Sequence, residues 1–189
     1  MSYVAWLDES GSNQVVDPGT YILSAAISEA LHAEAMRDTM RGLLIRRSHK
    51  KLHWRDEDPK RQEQIVKTIA TLQVEHLVVV RSDAHTTAKP ERQRRLCMER
   101  MLPELVSLGV GTAIVESRGP KDDQRDRKTL QNLRNKRLLT DPLHMDHVGG
   151  PADPMLWVPD ACCGAVTQLR CGNGHFYQQI ESRVTLIDL

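Results

Sequence analysis

Three carboxylates stand where short apolar runs stop, and that placement suits metal chemistry. Asp8 follows the run at residues 3–7 (YVAWL) in Asp8-Glu9-Ser10-Gly11, and Glu116 follows the run at 110–115 (VGTAIV) and precedes Ser117-Arg118. Asp160 comes in Leu156-Trp157-Val158-Pro159-Asp160, in the first turn of a helical pattern. If the two runs are neighbouring strands and the late helix packs across their ends, the three carboxyl groups converge. Several carboxylates in one low-dielectric pocket repel one another and lose hydration, so they call for a cation. Hard ions such as Mg2+ or Mn2+ take oxygen ligands, and a few carboxylates hold two of them about 3.5 to 4 Å apart, a spacing that clamps both oxygens of a phosphodiester displacement. Singly, each residue also admits a structural role: a turn at Asp8, a surface ion pair at Glu116, an offset to the helix dipole at Asp160. The joint pattern carries the chemistry.

Basic and aromatic residues lie nearby in sequence. Arg118, two residues past Glu116, is placed to contact a substrate phosphate, and Arg125, Arg127, Lys128 and Arg134 on the next helical segment are placed to track a backbone. The alternative is a solvated helix with internal pairs to Asp122, Asp123 and Asp126. His53-Trp54-Arg55 joins an imidazole, an indole and a guanidinium; a base stacked on Trp54 and a proton shuttled by His53 is one use, a core anchor beside a local hydrogen bonder the other. Cys162, Cys163, Cys171 and His175 lack Cys-x-x-Cys spacing, and adjacent cysteines on one helix point to different sides, so buried reduced thiols are expected rather than zinc.

The elements that must position these groups follow from periodicity. Residues 3–7 and 21–27 read as an antiparallel hairpin, separated by Gly11, Asn13 and Asp17-Pro18-Gly19. Ser28 is a candidate cap for a helix carrying Leu31, Ala35, Met36, Met40 and Leu43. Asp58-Pro59 starts a second helix, 74–80 is a strand, and a third helix carries Cys97, Met101, Leu105 and Leu108, with Pro103 predicting a kink or break. Residues 110–115 form a strand, a charged helix follows through Leu130, Leu133 and Leu138, and 143–148 and 183–189 are further strand candidates. Residues 155–158 read as a short strand before a helix opened by Pro159. Strands alternating with helices after an opening hairpin imply an α/β domain with a mixed sheet.

Composition excludes some classes. The chain has 189 residues, 26 Lys+Arg against 25 Asp+Glu, and 40% apolar residues, a globular balance fitting one domain. No stretch reaches the roughly 20 apolar residues of a membrane span and no basic leader precedes the first run, so a cytoplasmic location without membrane contact is expected. Charge is segregated: residues 37–62 hold nine basic and four acidic side chains, and 89–137 hold thirteen and seven. If the two segments share a face, they offer a positive surface to a polyanion beside an acidic site.

The opening Asp8-Glu9-Ser10-Gly11, the return strand at 21–27, Glu116-Ser117-Arg118 after a central strand and the late Pro159-Asp160-Ala161 together resemble the domain of unknown function 3800 family, over residues 3 to about 169. That family is similar to ribonuclease H-like domains. The resemblance implies a single ribonuclease H-like domain over 1–189, a mixed sheet with helices on both faces, and Asp8, Glu116 and Asp160 as catalytic ligands of Mg2+ or Mn2+. Glu9 is a less certain addition. A fourth ligand is left among Asp141, Asp146 and Glu57, with Asp146 favoured by its place in the 143–148 run. The function expected is a two-metal nuclease acting on DNA or RNA, with Arg118, Arg125 and Lys128 binding substrate. The rivals are an inactive nucleic-acid-binding or interaction module of a larger assembly, and a phosphohydrolase acting on a small phosphate.

Overall fold

The computed structural model describes residues 2–45, 50–82 and 89–189. Six strands form one sheet: β1 (Tyr3–Gly11), β2 (Thr20–Glu29), β3 (Glu75–Ser82), β4 (Val110–Glu116), β5 (His144–Val148) and β6 (Val184–Asp188), in the order β5-β4-β1-β2-β3-β6. Only β2 runs against its neighbours; β4 lies parallel to β1, β5 to β4, and β6 to β3. The sheet is therefore mixed, as the opening hairpin implied.

Five helices cover both faces. α1 (Ala33–Arg41), α2 (Pro59–Thr71) and α5 (Trp157–Arg170) bury Met36, Met40, Ile65, Ile69 and Val166 against one face, with Trp6 and Ile22 of the sheet. α3 (Pro90–Ser107) and α4 (Pro120–Asn135) bury Met98, Met101, Leu105, Leu130 and Leu133 against the other, with Ala5, Leu7 and Val115. Side chains alternate across a strand, so Asp8 shares the face of Trp6 while Glu9 shares that of Leu7. Among the described residues, no helix is long and apolar enough to cross a membrane.

Several local expectations are corrected. α3 runs unbroken through Pro103, because burial of Met98, Met101, Leu102 and Leu105 along one side outweighs the single backbone donor that proline removes. Residues 155–158 form no strand: Asp153 accepts a hydrogen bond from the Met155 N–H at 3.0 Å, Pro154–Leu156 is a 3-10 turn, and α5 begins at Trp157 with Pro159 inside its first turn, where no intrahelical donor is needed. Ser28 caps nothing, since β2 continues through it to Glu29. The two basic segments also do not share a face. Residues 37–41 lie in α1 and 59–62 in α2 on one side of the sheet, and 90–107 lie in α3 and 120–135 in α4 on the other; 46–49 of the first segment lie outside the described residues.

Candidate metal-binding carboxylate site

β1 and β4 are paired in parallel through Leu7 and Val115, so Asp8 and Glu116 follow on adjoining strands and face the same side as Trp6 and Ile114. Asp8 lies inside β1, which continues to Gly11, rather than closing it. Asp160 arrives from the first turn of α5, on that same face. The three residues belong to distant parts of the chain, and the sheet register plus one helix crossing bring them together.

Their environment is apolar and short of cations. Asp8 is 8% exposed, and the side chains of Glu116 and Asp160 are 18% and 12% exposed. Burial, then the neighbouring charges of Glu116 and Asp160, push the Asp8 carboxyl up to about 9, with Lys51 opposing. Asp160 is raised by burial too, against the Trp54 N–H, His53 and Lys51, which favour its charged form. One Glu116 oxygen, Oε2, is buried without a hydrogen-bond partner. The other, Oε1, takes a 2.5 Å ion pair from Lys51 Nζ.

Glycines set two close approaches. A Cβ at Gly150 would lie 2.7 Å from Glu116 Oε1 and 2.8 Å from Lys51 Nζ, so a side chain there would push the ends of the ion pair aside. A Cβ at Gly164 would lie 2.0 Å from the Trp54 ring. Trp54 packs there, edge-on to Phe176 with ring centroids 5.2 Å apart, which fixes the loop before α2. From that loop the Trp54 N–H donates to Asp160 Oδ2 at 2.9 Å, and Gln62 Nε2 donates to the Trp54 carbonyl at 3.0 Å. Trp54 is thus a buried anchor rather than a stacking platform, while His53 Nδ1 sits exposed 3.5 Å from Asp160 Oδ2.

A cleft of about 420 Å3 opens beside Asp160, lined by Ser10, His53, Trp54, Arg55 and Thr167 among others. Arg55 is exposed there and, among the described residues, makes no ion pair or hydrogen bond to another side chain.

The other residues singled out from sequence fall elsewhere. Arg118 is engaged by Glu91 at 2.5 Å, by Glu9 at 3.3 Å and by Asp126 at 3.6 Å. Arg125 pairs with Asp122 at 2.6 Å, and Lys128 is exposed in a groove of about 400 Å3 between α3 and α4, against the face opposite the carboxylates. Glu9 turns to that opposite face and pairs with the buried Arg94. Asp146 is exposed beside His144, Asp141 is exposed, and Glu57 faces Arg61 at 3.6 Å, so none of the three joins the cluster. Cys162 and Cys163 are buried thiols, and His175 pairs with Glu63 at 2.7 Å. Lys51 and Gly150 carry no sequence signal beyond a basic link and a Gly-Gly pair.

The donor set is all oxygen, as Mg2+ or Mn2+ requires, and an orphaned buried carboxylate oxygen is what a hard cation would satisfy. Among the described residues, no group of three or more His, Cys, Asp or Glu side chains stands close enough to hold an ion as placed. The carboxylates fit such an ion in chemistry and must close inward to hold it.

No family model and no curated protein matches the chain. Solved structures do. Ribonuclease H2 from Pyrococcus horikoshii OT3 superposes with a TM-score of 0.62 at 15% identity, over 90% of this chain and 74% of that one. RNase HII from Archaeoglobus fulgidus, in its complex with PCNA, gives 0.59 at 11% identity over 89% and 74%. Bst-RNase HIII in complex with Mn2+ gives 0.59 at 14% identity, over 89% of this chain and 53% of that one. At these identities the likeness concerns the fold: the chain has a ribonuclease H-like α/β architecture.

Proposed function

We propose that residues 1–189 form a single ribonuclease H-like domain that hydrolyses phosphodiester bonds of DNA or RNA with divalent metal. The observation that carries this reading is the burial of Asp8, Glu116 and Asp160 together at one end of the sheet, beside a cleft. The motifs around Asp8 and Glu116 support a closer affiliation with the domain of unknown function 3800 family.

Asp8, Glu116 and Asp160 would hold Mg2+ or Mn2+, with Asp8 central because it faces both others. When bound, a metal pair supplies a low-pKa water and a counter-charge for the leaving oxygen. The chain's own groups do the rest. Arg55, exposed in the cleft, would orient a phosphate; His53, 3.5 Å from Asp160 Oδ2, would hand a proton to the departing oxygen; Trp54 fixes Asp160 through its backbone N–H. Arg125 and Lys128 would contact a backbone that has crossed the end of the sheet, and Arg118 braces that end.

Asp8→Asn is the test. Cleavage of single- and double-stranded DNA, RNA and hybrid substrates with Mg2+ or Mn2+ should fall by about 100-fold or more while nucleic-acid affinity survives. If the unaltered protein cuts none of these with either metal yet binds them, the rival binding module is the better description. The Lys51–Glu116 ion pair is the observation that favours that rival.

A further inference from the structure

The carboxylate cluster already contains a cation. Lys51 Nζ lies 2.5 Å from Glu116 Oε1, both side chains are mostly buried at 16% and 18% exposure, and Gly150 closes over the pair. Its charge also acts favourably on Asp8 and Asp160. Among the described residues, the other groups facing these carboxylates are Trp54, through its backbone N–H, His53 and the buried Cys163 thiol, while the guanidinium of Arg118 is held by Glu9, Glu91 and Asp126. One ammonium thus faces three buried carboxyl groups.

From this geometry we propose that Lys51 is a built-in counter-ion of the cluster, which a divalent metal must displace from Glu116 in order to bind. The inference rests on the ligand set proposed above and concerns how that site is regulated. An ammonium and a divalent ion cannot share one carboxylate oxygen without strong like-charge repulsion, which low dielectric magnifies. The Glu116 oxygen that Lys51 occupies is therefore unavailable to metal until the side chain swings away. Two consequences follow. The metal-free protein is stabilised by its own lysine, and metal affinity is lowered by whatever free energy holds Lys51 in place. Glu116 Oε2, buried and unpartnered, is the oxygen at which metal entry would begin.

Mn2+ binding, followed by the loss of the free-ion electron paramagnetic resonance signal and by calorimetry on the full chain, tests this without any turnover assay. Lys51→Met keeps the apolar stem and removes the charge; Lys51→Gln serves as a second variant should the first fold poorly, and Lys51→Arg retains the charge. Expected are a roughly tenfold or greater tightening of Mn2+ binding in the two neutral variants, little tightening in Lys51→Arg, a lower metal-free melting temperature in Lys51→Met, and a larger rise of that temperature on adding Mn2+. Mn2+ bound by Lys51→Met but not by the unaltered protein supports the proposal in its strongest form. Unchanged or weaker binding in both neutral variants, with binding abolished by Asp8→Asn, overturns the role of Lys51 and leaves the ligand set standing. Mn2+ bound by none of them, or bound equally well after Asp8→Asn, overturns the metal reading and this inference with it.

Discussion

Asp8 and Glu9 are consecutive residues of one strand, yet they enter opposite electrostatic worlds. Glu9 points to the α3/α4 face, where Arg94, 1% exposed, makes a two-pronged contact with Asp126 at 2.9 and 2.7 Å and a further contact with Glu9, and where Arg118 and His147 add donors. There, burial raises Asp126, but the His147 and Arg94 hydrogen bonds more than offset it and hold the carboxyl at about 2. On the other face Asp8 has carboxylates for company, and the same physics pushes it to about 9. Burying acid with matched guanidinium builds a scaffold. Burying it without enough cation builds a site with an appetite for charge.

The comparison can be broken most forcibly at Arg94. Arg94→Met would strip the buried Asp126 of its two-pronged partner, leaving it to His147 and Arg118 and Glu9 to Arg118 alone, and should cost about 3 to 5 kcal/mol by urea denaturation. Asp8→Asn instead removes the cost of taking up a proton on folding, and should stabilise the metal-free protein at pH 8 by roughly 1 to 3 kcal/mol. If both variants are equally destabilising, the two faces do not differ as argued.

Their pH dependences should have opposite signs. Asp126 titrates lower in the folded protein than in the unfolded chain, so its stabilisation is complete above about 4 and fades as pH falls towards 2; Asp126→Asn should flatten that acid limb. Asp8 titrates higher when folded, so the stability it lends is complete below about 4 and is lost as pH climbs through about 9. Melting in chelator across this range should therefore decline at both ends, and Asp8→Asn should remove the alkaline decline only.

Smaller effects sharpen the contrast. Gly164→Ala forces the Trp54 ring aside and loosens the N–H that holds Asp160; a cost of about 1 to 3 kcal/mol with a shift in tryptophan emission is expected. The smallest structural effect belongs to Arg55→Ala, whose free guanidinium braces nothing: melting should stay unchanged, while the salt slope of nucleic-acid binding should fall by about one. Arg118→Ala, with three acidic partners to abandon, should do the reverse.

Much of this plan is written in local patterns. The ends of two apolar runs located Asp8 and Glu116, and the helical run after Pro159 located Asp160, because backbone periodicity is a short-range property that sequence displays openly. Pair-specific facts are not local. Arg118 follows Glu116 by two residues and looked like its working partner, but β4 ends at Glu116, and the irregular segment at 117–119 delivers Arg118 to Glu9, Glu91 and Asp126. Lys51 reaches Glu116 from 65 positions away, and neither residue carries a mark of the other. The assumption that both basic segments share a face failed because whether a helix lies above or below a sheet is set by crossover handedness, which charge counts do not encode.

The order of the strands has a consequence for biosynthesis. β3 is rich in valine and pairs on its outer side only with β6, matching His76 to Val184 and Val80 to Asp188, more than a hundred positions later. Until residues 184–188 leave the ribosome, an adhesive, unpaired strand edge lies open to solvent, so the newborn chain is most prone to self-association in the interval between the emergence of β3 and that of β6, and chaperone occupancy should peak there.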